Sequence, residues 1–265
     1  MSRLGIEQLS VLGLTPVEFV NLTADLGCNC ISTGLTGMPG YTPFSLRDDK
    51  ALRREMRAAM RDRGIAISLG EGCIVRPGHD VRDLAADMDI MRELGAERIN
   101  TVSMDPDLAR TLDQIAILAE MAAARGMESS VEMCPVLTID TLASAVAAVR
   151  HVGREDFRLL LDTMHLGRSG ATAAEIAALD PAMIGYVQLA DAPLKPTNPS
   201  YMDEATFERM VPGEGEMPLR EYFAVLPKDV MVSLEVPLRA KTQAGIGPRE
   251  RLLPCVVAAR TLMAK

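Results

Sequence analysis

The sequence predicts one (β/α)8 barrel, the architecture also called a TIM barrel, spanning residues 1–265 as a single domain. Three observations support this fold class. The chain has 265 residues, and a barrel of eight strand and helix units needs roughly 250. Apolar residues make up 48% of the chain, which is enough for a large core. Short β-type runs alternate with helical segments throughout, and eight such units favour a closed barrel.

An open sheet of the Rossmann type is the alternative arrangement of alternating strands and helices. That fold holds a dinucleotide through a G-x-G-x-x-G sequence after its first strand. No such sequence follows residues 4–9 here, so the barrel is the preferred prediction.

Eight runs rich in Ile, Val, Leu and Ser carry the strand signal. We predict strands at residues 4–9, 28–33, 65–69, 98–103, 129–133, 158–162, 184–189 and 231–236. The second four are more sharply bounded than the first four.

The segments between the strands have helical spacing. Leu52, Met56 and Met60, for example, fall on one helix face that can cover the outside of a sheet. Thr15, which precedes a proline, and Asp107 are placed to begin helices. Five glycines are placed to end them: Gly27, Gly64, Gly95, Gly126 and Gly153.

Two connections are longer than a strand-to-helix link requires. Residues 34–48 follow the second strand and residues 192–218 follow the seventh, and both are rich in Pro, Gly and polar residues. Connections that follow strands lie on the carboxyl-terminal face of a barrel, where active sites of this architecture are built. We expect these two segments to cover the site.

Charge and cysteine content limit the classes of function. The net charge of −8 leaves no broad basic surface for nucleic acid or an anionic membrane. The start MSRLGIEQLSVLG lacks the apolar core of a signal peptide, and we expect a cytoplasmic protein that takes a small-molecule substrate. The five cysteines are an odd number and favour reduced thiols, with the Cys28 and Cys30 pair packed in the core. A homo-oligomer is possible.

Four predicted strands end on a polar side chain that a buried strand does not carry without a reason. They are Glu132 in SSVEMCP, Asp162 in LLLDTMH, Gln188 in GYVQLAD and Glu235 in VSLEVP. Each alone could be a cap, an ion-pair partner or a satisfied polar group. Neighbouring strands lie roughly 4.8 Å apart, so side chains at one height converge inside the barrel mouth and together indicate a site.

Three carboxylates at one barrel mouth need a compensating positive charge. A divalent cation supplies it, and four oxygen donors suit Mg²⁺ or Mn²⁺. Zn²⁺ and Co²⁺ are less favoured because no histidine or thiolate stands at these four positions.

These segments resemble the xylose isomerase-like barrels, which include sugar epimerases, hydroxypyruvate isomerase, inosose dehydratase and one class of 3-dehydroshikimate dehydratase. The resemblance covers nearly the whole chain and rests on VEMCP, LLLDTMHLGRSG, YVQLADAP, PGEGEMPL and VSLEVP in the family's order. It implies that Glu132, Asp162, Gln188 and Glu235 bind a metal ion. It also implies that His165 lies near the substrate.

Two positions depart from the commonest family pattern. Many members have histidine where Gln188 stands, and glutamine there resembles the hydroxypyruvate isomerase-like and dehydratase branches. Cys134 stands where His or Asn is frequent, and a packed thiol is its preferred interpretation over a nucleophile because no histidine is adjacent. An endonuclease with the same barrel needs a histidine-rich zinc cluster, which the three histidines of this chain cannot form.

Such enzymes share one step, in which the carbon between a carbonyl oxygen and a neighbouring hydroxyl loses its proton. A metal ion that chelates both oxygens stabilises the resulting enediolate. Glu132 and Glu235 are the candidate acid/base pair, and His165 is the third candidate, as proton shuttle or hydrogen-bond donor. The candidate substrate contacts are His165, Arg76, His79, Lys195 and Glu71. The glycines of Gly213 to Gly215 allow either a close approach to a ligand or a plain turn.

The leading prediction is therefore a divalent-metal-dependent isomerase or epimerase acting on a small hydroxy-carbonyl compound, either a sugar or a keto acid. A metal-dependent dehydratase acting on a hydroxy-ketone is the enzymatic alternative. A barrel that binds a metabolite without turnover is the alternative of another class. It is disfavoured because unpaired buried acids are costly.

Overall fold

The computed structural model describes residues 4–264, in which eight parallel strands close into a barrel. The strands are β1 (Leu4–Glu7), β2 (Cys30–Thr33), β3 (Ala66–Val75), β4 (Arg98–Ser103), β5 (Glu128–Glu132), β6 (Phe157–Asp162), β7 (Ile184–Leu189) and β8 (Met231–Leu234). Each strand pairs with the next, and β8 pairs with β1 to complete the ring. The predicted (β/α)8 barrel is confirmed.

Helices surround the barrel. They are α1 (Pro16–Asp25), α2 (Lys50–Arg63), α3 (Ala85–Leu94), α4 (Leu108–Ala123), α5 (Leu142–Val152), α6 (Thr163–Ser169), α7 (Ala173–Ala177), α8 (Tyr201–Phe207), α9 (Leu219–Val225), α10 (Arg239–Gln243) and α11 (Pro248–Met263). Short 3-10 turns occupy Gln8–Val11, Val81–Leu84 and Pro181–Met183. The connections after β6, β7 and β8 each hold two α-helices where the sequence predicted one.

Local signals set the ends of several helices. Thr15 begins α1 with a reciprocal capping box to Glu18, and the Asp107 side chain caps the first turn of α4. Gly64 and Gly95 end α2 and α3 with φ angles of 66° and 90°, a left-handed conformation that glycine adopts without strain.

The core has two layers. Inside the barrel, a small apolar plug is made by side chains from five strands: Cys30, Leu69, Leu160, Tyr186 and Met231. Outside, a larger apolar layer fills the space between strands and helices and includes Cys28. Because inward and outward side chains alternate along each strand, the inward positions above the plug fall at the barrel mouth.

β4 and β7 have the predicted bounds, and β5 and β6 differ from them by one residue at one or both ends. β2 begins two residues late and β8 ends two residues early. β1 ends at Glu7, two residues early, where the chain turns into the 3-10 segment. β3 continues to Val75, six residues beyond the predicted end. Its register against β4 shifts between Gly70 and Cys73, so Glu71 lies in a bulge inside the strand rather than beyond it.

The two long connections lie at the carboxyl-terminal rim. Residues 34–48 contain no regular element, whereas residues 192–218 contain α8. Within residues 4–264, no helix is both long and apolar enough to cross a lipid bilayer.

Candidate metal centre

Strand register brings the four strand-end residues to the barrel mouth at staggered heights. Asp162 pairs directly with Gln188 across β6 and β7. Gln188 pairs with Ser233, so Glu235 lies two residues higher, just past the end of β8. Glu132 pairs with Leu160, two residues below Asp162. The stagger follows from the tilt of barrel strands, and it spreads the oxygens in depth.

Glu132, Asp162 and His165 form the tightest cluster of potential ligands. One atom of each lies within 4.8 Å of the others, and all three residues are buried. Asp162 is the N-cap of α6 and accepts a hydrogen bond from the His165 backbone nitrogen at 2.9 Å. The cap turns the histidine back over the barrel, where its Nε2 lies 3.5 Å from Glu132 Oε1.

Arg209 joins the other side of the site. Its guanidinium forms an ion pair with Asp162 and lies 2.9 Å from Glu235 Oε2. The contact with Glu235 lacks hydrogen-bond alignment, and Glu235 Oε2 has no hydrogen-bond partner among the described residues. Arg209 itself is 5% exposed, so its charge acts within the protein rather than in solvent.

Burial and neighbouring charges perturb the titration of every group in the cluster. Burial alone would raise the pKa of Asp162, but Arg209 and His165 outweigh it and lower that pKa to about 2. Burial, reinforced by Asp162, raises the pKa of Glu132. Burial also raises the pKa of Glu235, against an opposing effect of Arg209. The pKa of His165 is lowered to about 4, chiefly by burial.

A second group of polar side chains lies toward β1. Gln188 Nε2 donates to Glu71 Oε1 at 3.4 Å, and the Tyr186 hydroxyl donates to Glu7 Oε1 at 3.0 Å. Ser32 donates to Glu71 as well, at 3.2 Å. Burial, followed by the charge of Glu7, raises the pKa of Glu71 to about 8. The mouth of the barrel therefore holds five acids. Among residues 4–264, Arg209 is the one arginine or lysine paired with any of them, and His165 also lies beside Glu132 and Asp162.

The residues present fit a divalent cation. Glu132, Asp162 and Glu235 face one guanidinium, which leaves excess negative charge in a desolvated space. Gln188 Oε1 is buried and has no hydrogen-bond partner among the described residues. An unpartnered amide oxygen beside three carboxylates is the donor set that oxygen-preferring cations take.

The site opens into a cavity of about 590 Å³. Its floor includes Glu7, Glu71, Asn100, Glu132, His165, Gln188, Arg209 and Glu235. Its walls are mostly apolar and include Leu9, Leu35, Met38, Ile74, Met104, Leu137 and Met202. The two long connections contribute to these walls. Such a shape encloses a small molecule rather than a polymer.

The cavity separates the predicted substrate contacts into two groups. His165, Glu71 and Arg76 line it, together with Arg47. His79 and Lys195 are exposed and lie outside the residues that line it. The Arg47 guanidinium is already paired with Asp87 at 2.6 Å, whereas Arg76 has no carboxylate partner among residues 4–264.

The turn at Gly213 to Gly215 has a structural explanation. The Asp191 carboxylate accepts hydrogen bonds from the backbone nitrogens of Gly213 at 2.8 Å and Met217 at 3.0 Å. A Cβ on Gly215 would lie 2.3 Å from Asp191 Oδ1. The glycines therefore let the backbone pack closely around the buried Asp191 side chain. This packing fixes the position of the segment from Arg209 onward.

Sequence reasoning missed four residues of the site: Glu7, Asn100, Tyr201 and Arg209. Asn100 donates to Glu132 Oε2 at 2.6 Å, and Tyr201 contacts the His165 ring. Glu7 and Asn100 carried the signal used for the other four, a polar residue in a buried strand. Tyr201 begins α8 and Arg209 follows it, and both lie in a connection that the sequence shows as polar and irregular, where exposed polar residues are ordinary.

Comparisons with known proteins agree with this architecture. Residues 20–252 match the sequence profile of the family described as xylose isomerase-like TIM barrel. A 3-dehydroshikimate dehydratase of Pseudomonas aeruginosa is 29% identical over 184 residues, which cover 64% of this chain and 29% of that protein. The chain thus spans less than a third of that relative's length.

Solved structures of other proteins share the fold. The IolI protein, solved with a bound zinc atom, has a TM-score of 0.82 at 17% identity over 100% of this chain and 98% of its own. A D-psicose 3-epimerase, solved in the presence of D-fructose, has a TM-score of 0.74 at 16% identity over 100% of both chains. The profile match covers most of the chain, and the chain belongs to the xylose isomerase-like TIM barrel family.

Proposed function

We propose that this chain is a divalent-metal-dependent enzyme that removes a proton beside the carbonyl of a small hydroxy-carbonyl compound. The observation that carries the proposal is the buried cluster of Glu132, Asp162 and His165, with Gln188 Oε1 unpartnered beside it. Glu132, Asp162, Gln188 and Glu235 would hold the ion. When bound, the ion would act as a Lewis acid that stabilises negative charge developing on substrate oxygens.

Glu132 is the proposed general base. Asn100 holds one of its oxygens at 2.6 Å, and His165 lies beside the other, so the carboxylate keeps one orientation toward the cavity. Glu235 is the weaker base of the pair because Arg209 lies 2.9 Å from it. It approaches from β8, three strands away from Glu132 on β5, and can return a proton at a different position.

Dehydration of a carboxylate-bearing cyclic hydroxy-ketone is the first outcome to test. Three features favour it: the similarity to a 3-dehydroshikimate dehydratase, the largely apolar cavity walls, and the unpaired Arg76 at the rim. Apolar walls suit a ring better than an open polyol, and a free guanidinium suits a carboxylate. Glu132 takes the α proton, the C–H electron pair forms the new double bond as the β C–O bond breaks, and Glu132 then returns that proton to the departing hydroxyl, which leaves as water.

Isomerisation or epimerisation is the second candidate. Its support is the placement of Glu132 and Glu235 on well-separated strands, which gives two proton donors at different sides of one substrate. An oxygen-rich ligand set favours Mg²⁺ or Mn²⁺. His165 lies close enough to Glu132 and Asp162 that Zn²⁺ and Co²⁺ belong in the same metal screen.

Metal content tests the site first. The purified chain is loaded with Mn²⁺, dialysed and measured by elemental analysis beside a Glu132→Gln, Glu235→Gln double variant. Glu120→Gln, an exposed acid on α4, is the matched control. We expect about one ion per chain in the wild type and the control, and loss in the double variant. If none of the three proteins binds an ion, the proposal of a metal-dependent enzyme is contradicted. A barrel that binds a metabolite without turnover is then favoured.

Product analysis then separates the reactions. Incubation with 3-dehydroshikimate and with ketoses is followed by ultraviolet absorbance and mass spectrometry. A conjugated product lacking one water indicates dehydration, and a product of unchanged mass indicates isomerisation. For a carboxylate substrate, Arg76→Gln should raise KM with little change in kcat, because the contact is made in the ground and transition states alike.

A further inference from the structure

A tyrosine from the long connection after β7 reaches the histidine of the site. The Tyr201 hydroxyl lies 2.7 Å from His165 Nδ1, although the two residues are 36 positions apart. Their ring centroids are 5.7 Å apart at a tilted angle. The histidine's other nitrogen, Nε2, faces Glu132 and the cavity. Tyr201 thus contacts His165 from the side away from the substrate space.

The position of Tyr201 is determined by buried contacts rather than by a loose loop. It is the first residue of α8, and α8 is fastened to the barrel by an ion pair of Glu204 with Arg168 at 2.8 Å. The side chains of that pair are 0% and 3% exposed. Arg168 also donates to the Pro193 carbonyl and places its guanidinium 5.9 Å from the centre of the Tyr201 ring. The hydroxyl is therefore presented to His165 in one orientation.

The proton on this contact can be assigned. A tyrosine hydroxyl keeps its hydrogen at neutral pH and can donate it. His165 Nδ1 is the acceptor that the structure offers this hydroxyl among the described residues. A neutral imidazole that accepts at Nδ1 carries its own proton on Nε2. Nε2 then carries its N–H on the side of the ring where Glu132 Oε1 lies, 3.5 Å away.

We propose that Tyr201 is a positioning residue that holds His165 in its Nε2–H tautomer, so that the ring presents a hydrogen-bond donor to the cavity. His165 would then serve the reaction as a donor to a substrate oxygen and not as the base that takes the first proton. The assignment of the tautomer stands on the hydrogen bond alone. Its catalytic use rests on the proposed function.

Nitrogen NMR of the histidine side chains tests the tautomer directly. The chain has only three histidines, so ¹⁵N-histidine labelling of the full chain with Mg²⁺ gives three ring systems. A His165→Gln variant identifies the signals of His165 by their loss. We expect His165 in a single Nε2–H form at neutral pH. If that variant fails to fold, His79→Gln and His151→Gln, both at exposed positions, assign His165 by elimination. An Nδ1–H form in the wild type would overturn the proposal.

Tyr201→Phe tests the cause. Removing the hydroxyl should let both tautomers populate, so the Nδ1 and Nε2 shifts of His165 move toward each other while those of His79 and His151 stay. Tyr222→Phe is the matched control, since it removes a hydroxyl that donates at the same 2.7 Å to the Ala171 carbonyl. Unchanged His165 shifts in Tyr201→Phe would refute the positioning role.

Kinetics give a second and separable readout. With an accepted substrate, Tyr201→Phe should lower kcat by roughly 10- to 100-fold and leave KM close to that of the wild type, as for other residues that orient a catalytic group. Tyr222→Phe should leave both unchanged. If no substrate is turned over, the proposed function fails while the NMR result still decides the tautomer.

Discussion

At the scale of single residues, the barrel mouth concentrates acids whose protonation depends on their neighbours. Asp162 is held ionised by Arg209, while Glu71 has a pKa of about 8 because it is enclosed beside Glu7. Glu71 pairs with Gln188 and Ser32, which are neutral, so no positive charge offsets its ionisation. A bound cation would offset the negative charge of Glu71. In the metal-free chain, we expect ionisation of Glu71 to destabilise the fold.

Glu71→Gln should stabilise the metal-free chain at neutral and alkaline pH. The pKa of Glu71 is raised from 4.5 to about 8, so the folded chain holds this proton more tightly than the unfolded chain does. The free energy of unfolding is therefore highest below pH 4.5 and falls as pH rises through 8. We expect a gain on the order of 1 kcal/mol near pH 8, less than the full shift implies because cavity water reaches the group.

Urea unfolding in the presence of a chelator, measured from acid to mildly alkaline pH, checks this. The wild-type free energy of unfolding should fall across that window more than that of Glu71→Gln. Glu120→Gln on the exposed face of α4 should follow the wild type. Parallel curves for the wild type and Glu71→Gln would show that Glu71 titrates normally.

At the scale of elements, ion pairs and hydrogen bonds hold α8 in place against the barrel. Arg168 and Glu204 attach it to α6, and Arg239 pairs with Asp203 at 2.7 Å on its other face. Glu204 also accepts hydrogen bonds from the Thr197 backbone and side chain. These contacts place Arg209 and Tyr201 against the strand-end residues, although the connection that carries them is 27 residues of mostly irregular chain in the sequence prediction.

Breaking the Arg168 and Glu204 pair from one side should be costly. Glu204→Gln leaves a buried guanidinium without its counter-charge, and we expect a loss of about 3–5 kcal/mol in the free energy of unfolding. An Arg168→Met, Glu204→Leu double variant removes both charges and should lose clearly less than the sum of the single variants Arg168→Met and Glu204→Leu.

Urea unfolding of the variants gives the comparison. Asp156→Asn is the matched control because its pair with Arg154 has the same 2.8 Å distance, yet both side chains are more than a third exposed. It should cost at most about 1 kcal/mol. Equal losses for Glu204→Gln and Asp156→Asn would mean that α8 is not anchored by this pair.

At the scale of the whole molecule, ring closure creates the site. The pairing of β8 with β1 brings Glu7, on the first strand, into the same mouth as Glu235, Glu132 and Asp162, which lie within or just after the last four strands. An open sheet of the same eight strands would leave these residues spread along one edge. Ligand binding at such a site should therefore stabilise the barrel as a unit.

Mn²⁺ should raise the thermal midpoint of the chain. At a free concentration 100 times the dissociation constant, binding adds about 2.7 kcal/mol, which corresponds to roughly 5–10 °C for a domain of this size. Scanning fluorimetry with Mn²⁺ and with a chelator measures the shift. The Glu132→Gln, Glu235→Gln variant should show none, and an equal shift in that variant would place the bound ion elsewhere.

Short-range patterns predicted most of the architecture. The capping sequence at Thr15 and the glycines at 64 and 95 act within one helical turn, so they can be read without tertiary information. The length of β3 could not be predicted in this way. Its bulge at Glu71 forms through the pairing with β4, a strand far away in the sequence.

The sequence by itself determined the barrel, through eight alternating periodicities, and pointed to the four strand-end residues through polar groups in buried strands. Only the tertiary structure decided what surrounds them. Arg209 and Tyr201 lie in a connection whose composition is that of any exposed loop, and contacts made from far along the chain bury one and half-bury the other. Burial then turns an ordinary arginine into the counter-charge of Asp162, because a charge acts strongly only where water is excluded.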